Sequence, residues 1–373
     1  MNPPLTGIKI ADFSRVLAGP YATMLLADLG AEVIKVERPG SGDDTRGWGP
    51  PFDSNGDSTY FLSVNRNKQG LSLDLSKESD QQKALELITS SDVVVENFGP
   101  GGMEKYNLGY SKLISNNPNL IYCSISGFGT SDKATKLPGY DLLVQGMSGL
   151  MSITGVDSES PTKVGVALVD VISGLHAALG ISAALVSRAE TGIGQKIAVN
   201  LLSSALSAMV NQSGAFAGAG VTPKAMGNAH PSIAPYEVYK AKDQYLIIAV
   251  GNDRQFVDLA RVLNLDIATD SRFESNSARV ANRAALNEFL NQKFMSETAA
   301  FWTEKLTAFG VPAGPINSIA EGVKLATDIG LDPIVSITDS RSGKISKTIA
   351  NPIIFSETPV TYRLGAPDLG ADD

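Results

Sequence analysis

Cysteine and histidine are scarce in this chain of 373 residues. Cys123 is the single cysteine and sits in an apolar, strand-like run, so a disulfide framework is excluded. His176 and His230 are the two histidines, and no dedicated metal site is expected from so few ligands. Positive charge is in the minority: 31 Lys and Arg stand against 39 Asp and Glu, a net charge of -8. That balance disfavours nucleic acid or an anionic membrane as the main partner. A charge-free run of about 18 apolar residues is missing, so no membrane span is expected. The opening Met-Asn-Pro-Pro-Leu-Thr lacks the basic and apolar parts of a signal segment. The expected setting is therefore a reducing cytoplasm.

What is present fits a folded chain: 43% hydrophobic and 19% charged residues, with length for a large core and two lobes. Residues 8–12 read as a strand, a helix begins near Pro20 and ends at Gly30, and 32–37 read as the next strand. This is a β-α-β unit with parallel strands. Alternation continues with strands at 70–75, 92–98 and 120–125. A helix spans 79–89, where Ser79 and Gln82 have capping-box spacing. The expected fold class is α/β, a doubly wound, Rossmann-like parallel sheet in a large domain over residues 1–200. A Gly- and Pro-rich linker covers 201–226, a smaller α+β domain covers 227–325, and 326–373 return to the large domain. The loop after the first strand, Phe13-Ser-Arg-Val-Leu-Ala-Gly-Pro20, is not the Gly-x-Gly-x-x-Gly of a dinucleotide site. It still lies at the carboxyl end of a parallel strand, where ligands bind in such sheets.

Asp170 is the only charged residue between Lys163 and Arg188. Residues 165–169 read as a short buried strand and 171–188 as a helix. Asp170 then falls at the handover, at or next to the N-cap, and capping is the simpler explanation. A carboxylate held among apolar walls and backbone N–H groups can alternatively be tuned as a nucleophile. Loops at other strand ends gather cations. Residues 37–48 hold Arg38, Arg46 and Trp48, residues 65–68 read Asn-Arg-Asn-Lys, and Glu96-Asn97-Phe98 leads to Lys105. Each cluster alone reads as a solvated face. Together they could hold a diphosphate and face a purine.

Several of these segments carry a resemblance. They are Arg15-Val-Leu-Ala-Gly-Pro20, Ala31 to Asp43, Glu96-Asn-Phe98 with Gly99-Pro-Gly101, and Gly310-Val-Pro-Ala-Gly-Pro315. Over nearly the whole chain the sequence resembles the family III CoA-transferases, the CaiB/BaiF family that includes formyl-CoA transferase and α-methylacyl-CoA racemase. The resemblance implies an interlocked homodimer and a nucleophilic aspartate at Asp170, ahead of Ser173-Gly174-Leu175-His176. It outweighs the capping explanation. It implies coenzyme A or an acyl-CoA as substrate, not as a permanently bound cofactor, and a carboxylic acid as the second partner. CoA contacts carry over to Val16, Arg38, Leu73, Asn97, Phe98 and Lys105, with Arg38 and Lys105 on phosphates and Asn97 and Phe98 flanking adenine. Leu17, Trp48 and Tyr140 match the acyl site. Leu17 replaces the glutamine of the formyl-CoA branch, which disfavours oxalate. The alternative activity is acyl-CoA racemisation, whose acid/base histidine would stand where this chain has Tyr140. His176 reads as structural.

Overall fold

The computed structural model describes all 373 residues and divides into two compact units. The first comprises residues 1–151, 163–222 and 332–373. It opens with β1 (Lys9–Asp12), α1 (Ala18–Asp28), β2 (Glu32–Glu37), α2 (Thr59–Val64) and β3 (Lys68–Ser72). It continues with α3 (Glu78–Thr89), β4 (Val93–Glu96), α4 (Tyr110–Asn116), β5 (Ile121–Ser126) and α5 (Asp141–Met147). After the short α6 (Leu150–Ile153) come α7 (Leu168–Thr191), β6 (Lys196–Asn200), α8 (Leu201–Ala208) and α9 (Val210–Ala219).

The six strands form one parallel sheet in the order β3-β2-β1-β4-β5-β6. The order reverses between β1 and β4, so their carboxyl ends border the crevice where open α/β sheets bind ligands. Strand alternation divides the core. Val93 and Val95 point to a cluster with Leu26 of α1 and Ala177 and Ile181 of α7, whereas Val94 joins Ala84 and Ile88 of α3. Helix α7 is 24 residues long and apolar enough, by length and composition, to cross a membrane. Its inner face nevertheless belongs to this core.

Residues 165–169 do not form the expected strand; α7 starts at Leu168. The buried Gln145 side chain accepts from Val164 N (2.9 Å) and donates to Val166 O (3.4 Å), taking backbone groups that a strand would pair with a neighbour. The capping box at Ser79 is also absent: α3 has Lys77 at its N-cap without a side-chain bond. Asp80 Oδ2 instead accepts from Asp74 N (2.9 Å). The Asn65–Lys68 cluster is not a solvated cationic face. Arg66 pairs with Asp28 at 2.6 Å and Lys68 with Asp12 at 3.0 Å, all four buried. Most of the expected linker is helical, as α8 and α9.

The second unit comprises residues 152–162 and 223–331. It holds β7 (Tyr236–Lys240), β8 (Tyr245–Ala249), α10 (Asp253–Leu263), α11 (Asn276–Ala281), α12 (Arg283–Phe294), α13 (Ala299–Thr307), β9 (Ala313–Pro315) and α14 (Ile319–Asp328). Its antiparallel sheet, β7-β8-β9, packs with these helices around Tyr239, Phe256, Phe294 and Trp302. The Gly310–Pro315 segment thus supplies an edge strand and not merely a turn. The tail adds a hairpin, β10 (Ile334–Thr338) and β11 (Ile345–Ile349), to the first unit. Asn67 N bonds to Leu364 O (2.9 Å) and Asp372 N to Gly70 O (2.9 Å), tying the last residues to β3.

Gly174 sets how closely α7 approaches α1. A Cβ there would lie 2.6 Å from Ala18 O, with Tyr21 Cδ1 at 3.2 Å. Gly174→Val is expected to lower stability by about 3 kcal/mol, since overpacking of this kind forces backbone shifts. A urea midpoint equal to wild type would contradict the close approach.

Candidate active site

Two cavities open at the carboxyl edge of the sheet. The larger, about 820 Å³, has Val16, Leu17, Trp48, Asn97, Phe98, Tyr140, Asp141 and Asp170 among its walls. The smaller, about 500 Å³, is bordered by Arg38, Leu73, Phe98 and Lys105. Arg15, Asp44 and Phe98 line both, so the cavities adjoin. Every site residue implied by the family resemblance lines one of these two spaces, whereas Arg46 and the Asn65–Lys68 cluster line neither.

Asp170 does not cap its own helix. It is the third residue of α7, whose N-cap is Ala167. The cap comes from a different helix. Asp141 Oδ1 accepts from Val169 N (2.8 Å) and Asp170 N (3.1 Å), and its Oδ2 accepts from Gln145 Nε2 (2.6 Å). Asp141 therefore takes the dipole-stabilising role, and the Asp170 side chain is left to the cavity. Burial pushes the Asp170 pKa up, and the neighbouring Asp141 charge pushes it further, to about 7. Tyr60 of α2 feels the same charges. Burial, then Asp170 and Asp141, raise its pKa to about 12, so it stays a neutral donor. Tyr60 packs edge-on against Trp48, with ring centroids 5.3 Å apart.

The loop after β1 is held from both sides. Asn97 accepts from Arg15 N (2.9 Å) and donates to Arg15 O (2.7 Å). Its amide is thus a backbone clamp, and the residue also lines the large cavity. Phe98 is fixed in turn by its N–H, which donates to Glu96 Oε2 (2.8 Å). On the other side Val16 N donates to both Asp43 oxygens at 3.2 Å. Val16 has φ +68°, a conformation that costs a β-branched residue of order 1–3 kcal/mol and clusters at functional sites. Arg38 and Lys105 are exposed at the small cavity, whereas Arg46 is held by Glu37 (2.6 Å) and faces away from ligand duty.

Sequence reading missed Asp141, Tyr60 and Arg15. Asp141 was visible only as the neighbour of Tyr140, and its link to α7 spans 29 positions. Neither histidine lines the large cavity, and His176 Nδ1 lies 3.0 Å from Ser204 Oγ.

A cavity bordered by the exposed cations Arg38 and Lys105 thus adjoins a larger one with a tuned carboxylate in its wall. The profile of CoA-transferase family III matches residues 5–373, and this chain belongs to that family. It is 41% identical to the succinate–glutarate CoA-transferase of Agrobacterium fabrum, across 99% of this chain and 94% of that protein. It is 43% identical to the succinyl-CoA:glutarate CoA-transferase of Mus musculus, across 92% of this chain and 79% of that one. A crystal structure of a CaiB/BaiF family protein from Brucella suis superposes with a TM-score of 0.86 at 41% identity, covering 100% of this chain and 97% of that chain. The protein is a CoA-transferase, moving CoA between an acyl-CoA and a carboxylic acid.

A carboxylate serves as nucleophile or base only when ionised, so if Asp170 serves the reaction in either role, activity should fall as pH drops through about 7. Asp141→Asn keeps an acceptor for the two N–H groups and removes the like charge. The acid limb of kcat/KM is expected to move to lower pH in that variant. An unmoved limb would contradict the coupling. The folded-state pKa of Asp170 is raised, so the group favours folding when protonated and works against it once ionised. Asp170→Asn should therefore raise Tm at pH 8 and much less at pH 5; equal shifts at both pH values would contradict the burial of an ionised carboxylate.

Proposed function

We propose that the chain transfers CoA from an acyl-CoA donor to a dicarboxylic acid through covalent intermediates on Asp170. The carboxylate attacks the thioester carbonyl and expels CoA thiolate, giving a mixed aspartyl anhydride. The thiolate then attacks the aspartyl carbonyl of the anhydride. The donor acid leaves carrying one oxygen from Asp170, and an aspartyl-CoA thioester remains. The acceptor acid runs the two steps in reverse and departs as the new acyl-CoA. Two easier displacements replace one hard exchange, and the thioester's free energy is not lost to water.

The observation that carries this reading is the placement of Asp170 in the large cavity without a cation beside it. A carboxylate of raised pKa is a better nucleophile than an ordinary one, yet is substantially ionised at neutral pH. Gly127 shares the wall, so its backbone N–H can meet an oxyanion, such a donor being worth on the order of 3 kcal/mol, whereas the Gly129 N–H is taken by Ser126 Oγ (3.1 Å). In the small cavity Arg38 and Lys105 would hold phosphates, with Phe98 and Leu73 against adenine. Racemisation is disfavoured because the cavity wall carries Tyr140 and no imidazole to exchange an α-proton. The glutarate and succinate of the two relatives support a dicarboxylate of four or five carbons, with succinyl-CoA as donor. Leu17, where a glutamine would suit oxalate, supports the same choice.

The active species in this proposal is a cytoplasmic homodimer. Leu175, Leu179 and Val186 of α7 are 46%, 68% and 65% exposed in a single chain, an apolar stripe that a second chain would cover. Sedimentation at micromolar protein should give twice the chain mass; a monomer would contradict this part.

With succinyl-CoA alone, acid-quenched protein should carry a CoA adduct on the peptide containing Asp170, and hydroxylamine should convert it to the hydroxamate. Asp170→Ala should lose both the adduct and transfer, by ~10⁴-fold or more. Full transfer by that variant, or an adduct elsewhere, would overturn the assignment. Assays of glutarate and succinate against monocarboxylic acids of equal length then test the acceptor class.

A further inference from the structure

We infer that the buried pair Lys35–Asp43 is a positioning device for acyl-CoA, holding the Val16 segment between the two cavities. This rests on reading those cavities as the acyl-CoA site. Lys35 Nζ lies 2.9 Å from Asp43 Oδ2, and both side chains are fully buried. Lys35 also donates to Ser14 O (3.0 Å). Asp43 receives Val16 N on both oxygens, and Thr45 N (3.0 Å) and Thr45 Oγ1 (2.8 Å) on Oδ1. One ammonium and one carboxylate thereby join the loop after β1 to the loop after β2. Both loops line the cavities, through Val16 and Leu17 on one side and Arg38, Asp44 and Trp48 on the other.

Stability alone does not account for such a pair. Apolar residues of matched size commonly replace a buried ion pair without loss, so the pair offers the fold little that packing could not. What packing cannot do is accept the N–H of a valine at φ +68°. Glycine would take that backbone shape freely, but this loop uses valine, whose side chain walls the cavity. The tether keeps the valine there. Burial opposes the charge on Lys35, but Asp43, Asp12 and Glu37 outweigh it and raise its pKa. Burial likewise opposes ionisation of Asp43, and Lys35 with the Thr45 donors outweighs that, lowering its pKa. The tether is therefore charged on both sides at neutral pH. A second buried pair in the same unit, Arg66–Asp28, touches neither cavity and offers a control.

The test compares four variants of the full chain. Lys35→Met/Asp43→Leu replaces the pair by apolar volume and should remain folded. We expect kcat/KM for the acyl-CoA donor to fall about a hundredfold, the loss expected from misplacing a binding loop by an ångström, with most of it in KM. Adding Val16→Gly should fail to restore KM if the valine wall matters as well as the tether. Asp43→Asn, which keeps an acceptor for Val16 N–H, should retain more of the activity than the apolar pair. Asp28→Asn should lower Tm and leave KM within twofold. An apolar pair with wild-type KM, a full rescue by Val16→Gly, an Asp43→Asn variant no better than the apolar pair, or an equal KM rise in Asp28→Asn would each overturn the inference. Should the apolar pair fail to fold, Asp43→Asn, which still loses the charge facing Lys35, should raise KM more than Asp28→Asn does, and equal KM values would overturn the inference. Absence of the Asp170 adduct in the wild-type protein would instead defeat the proposed function and leave these comparisons standing.

Discussion

The structure turns on a division of labour between two carboxylates. A helix start needs an acceptor for its unpaired N–H groups, and an aspartate at the N-cap is an ordinary supplier, a place that Ala167 takes in α7. Here Asp141, carried by α5, meets the N–H groups of Val169 and Asp170 at the start of α7. Asp170 is released from that task and faces the cavity, with its affinity for a proton raised by burial and by the very group that displaced it. Gln145 completes the arrangement by holding Asp141 and the backbone at Val164. One polar cluster thus orients the helix, strips the carboxylate of partners and tunes it.

The sheet brings the remaining parts to the same edge. Strands β1 and β4 flank the reversal of strand order, and their following loops carry Val16, Leu17, Asn97 and Phe98. The loop after β2 adds Arg38 and Trp48. These loops are stitched to each other by Asn97 on one side and the Lys35–Asp43 pair on the other. Rigid placement would suit the proposed anhydride, because a mobile wall would admit water.

The sheet and its helices were legible because hydrophobic period and glycine breaks agree with the fold in most of the first unit. The candidate residues were legible through resemblance, and all of them line the two cavities. Other features were hidden for physical reasons. Residues 165–169 have strand composition, but the Gln145 side chain took Val164 N and Val166 O, backbone groups a strand would pair. Asp141 looked like a neighbour of Tyr140 because nothing local reports a contact with α7. Arg66 and Lys68 looked like exposed cations, since charge in a sequence says nothing of its partner; Asp28 and Asp12 bury them. Asn97 lines the large cavity, but its clamp on both backbone groups of Arg15, 82 positions away, had no local signal.

The oxygen traffic of the reaction tests the central claim most directly. If Asp170 is the covalent carrier, each turnover takes one oxygen from the acceptor acid and leaves it on the aspartate. With an acceptor labelled with heavy oxygen and an unlabelled donor, the peptide containing Asp170 should gain the label after a single turnover. The donor acid released in later turnovers should gain it too. Transfer that proceeds while that peptide stays unlabelled would contradict the account.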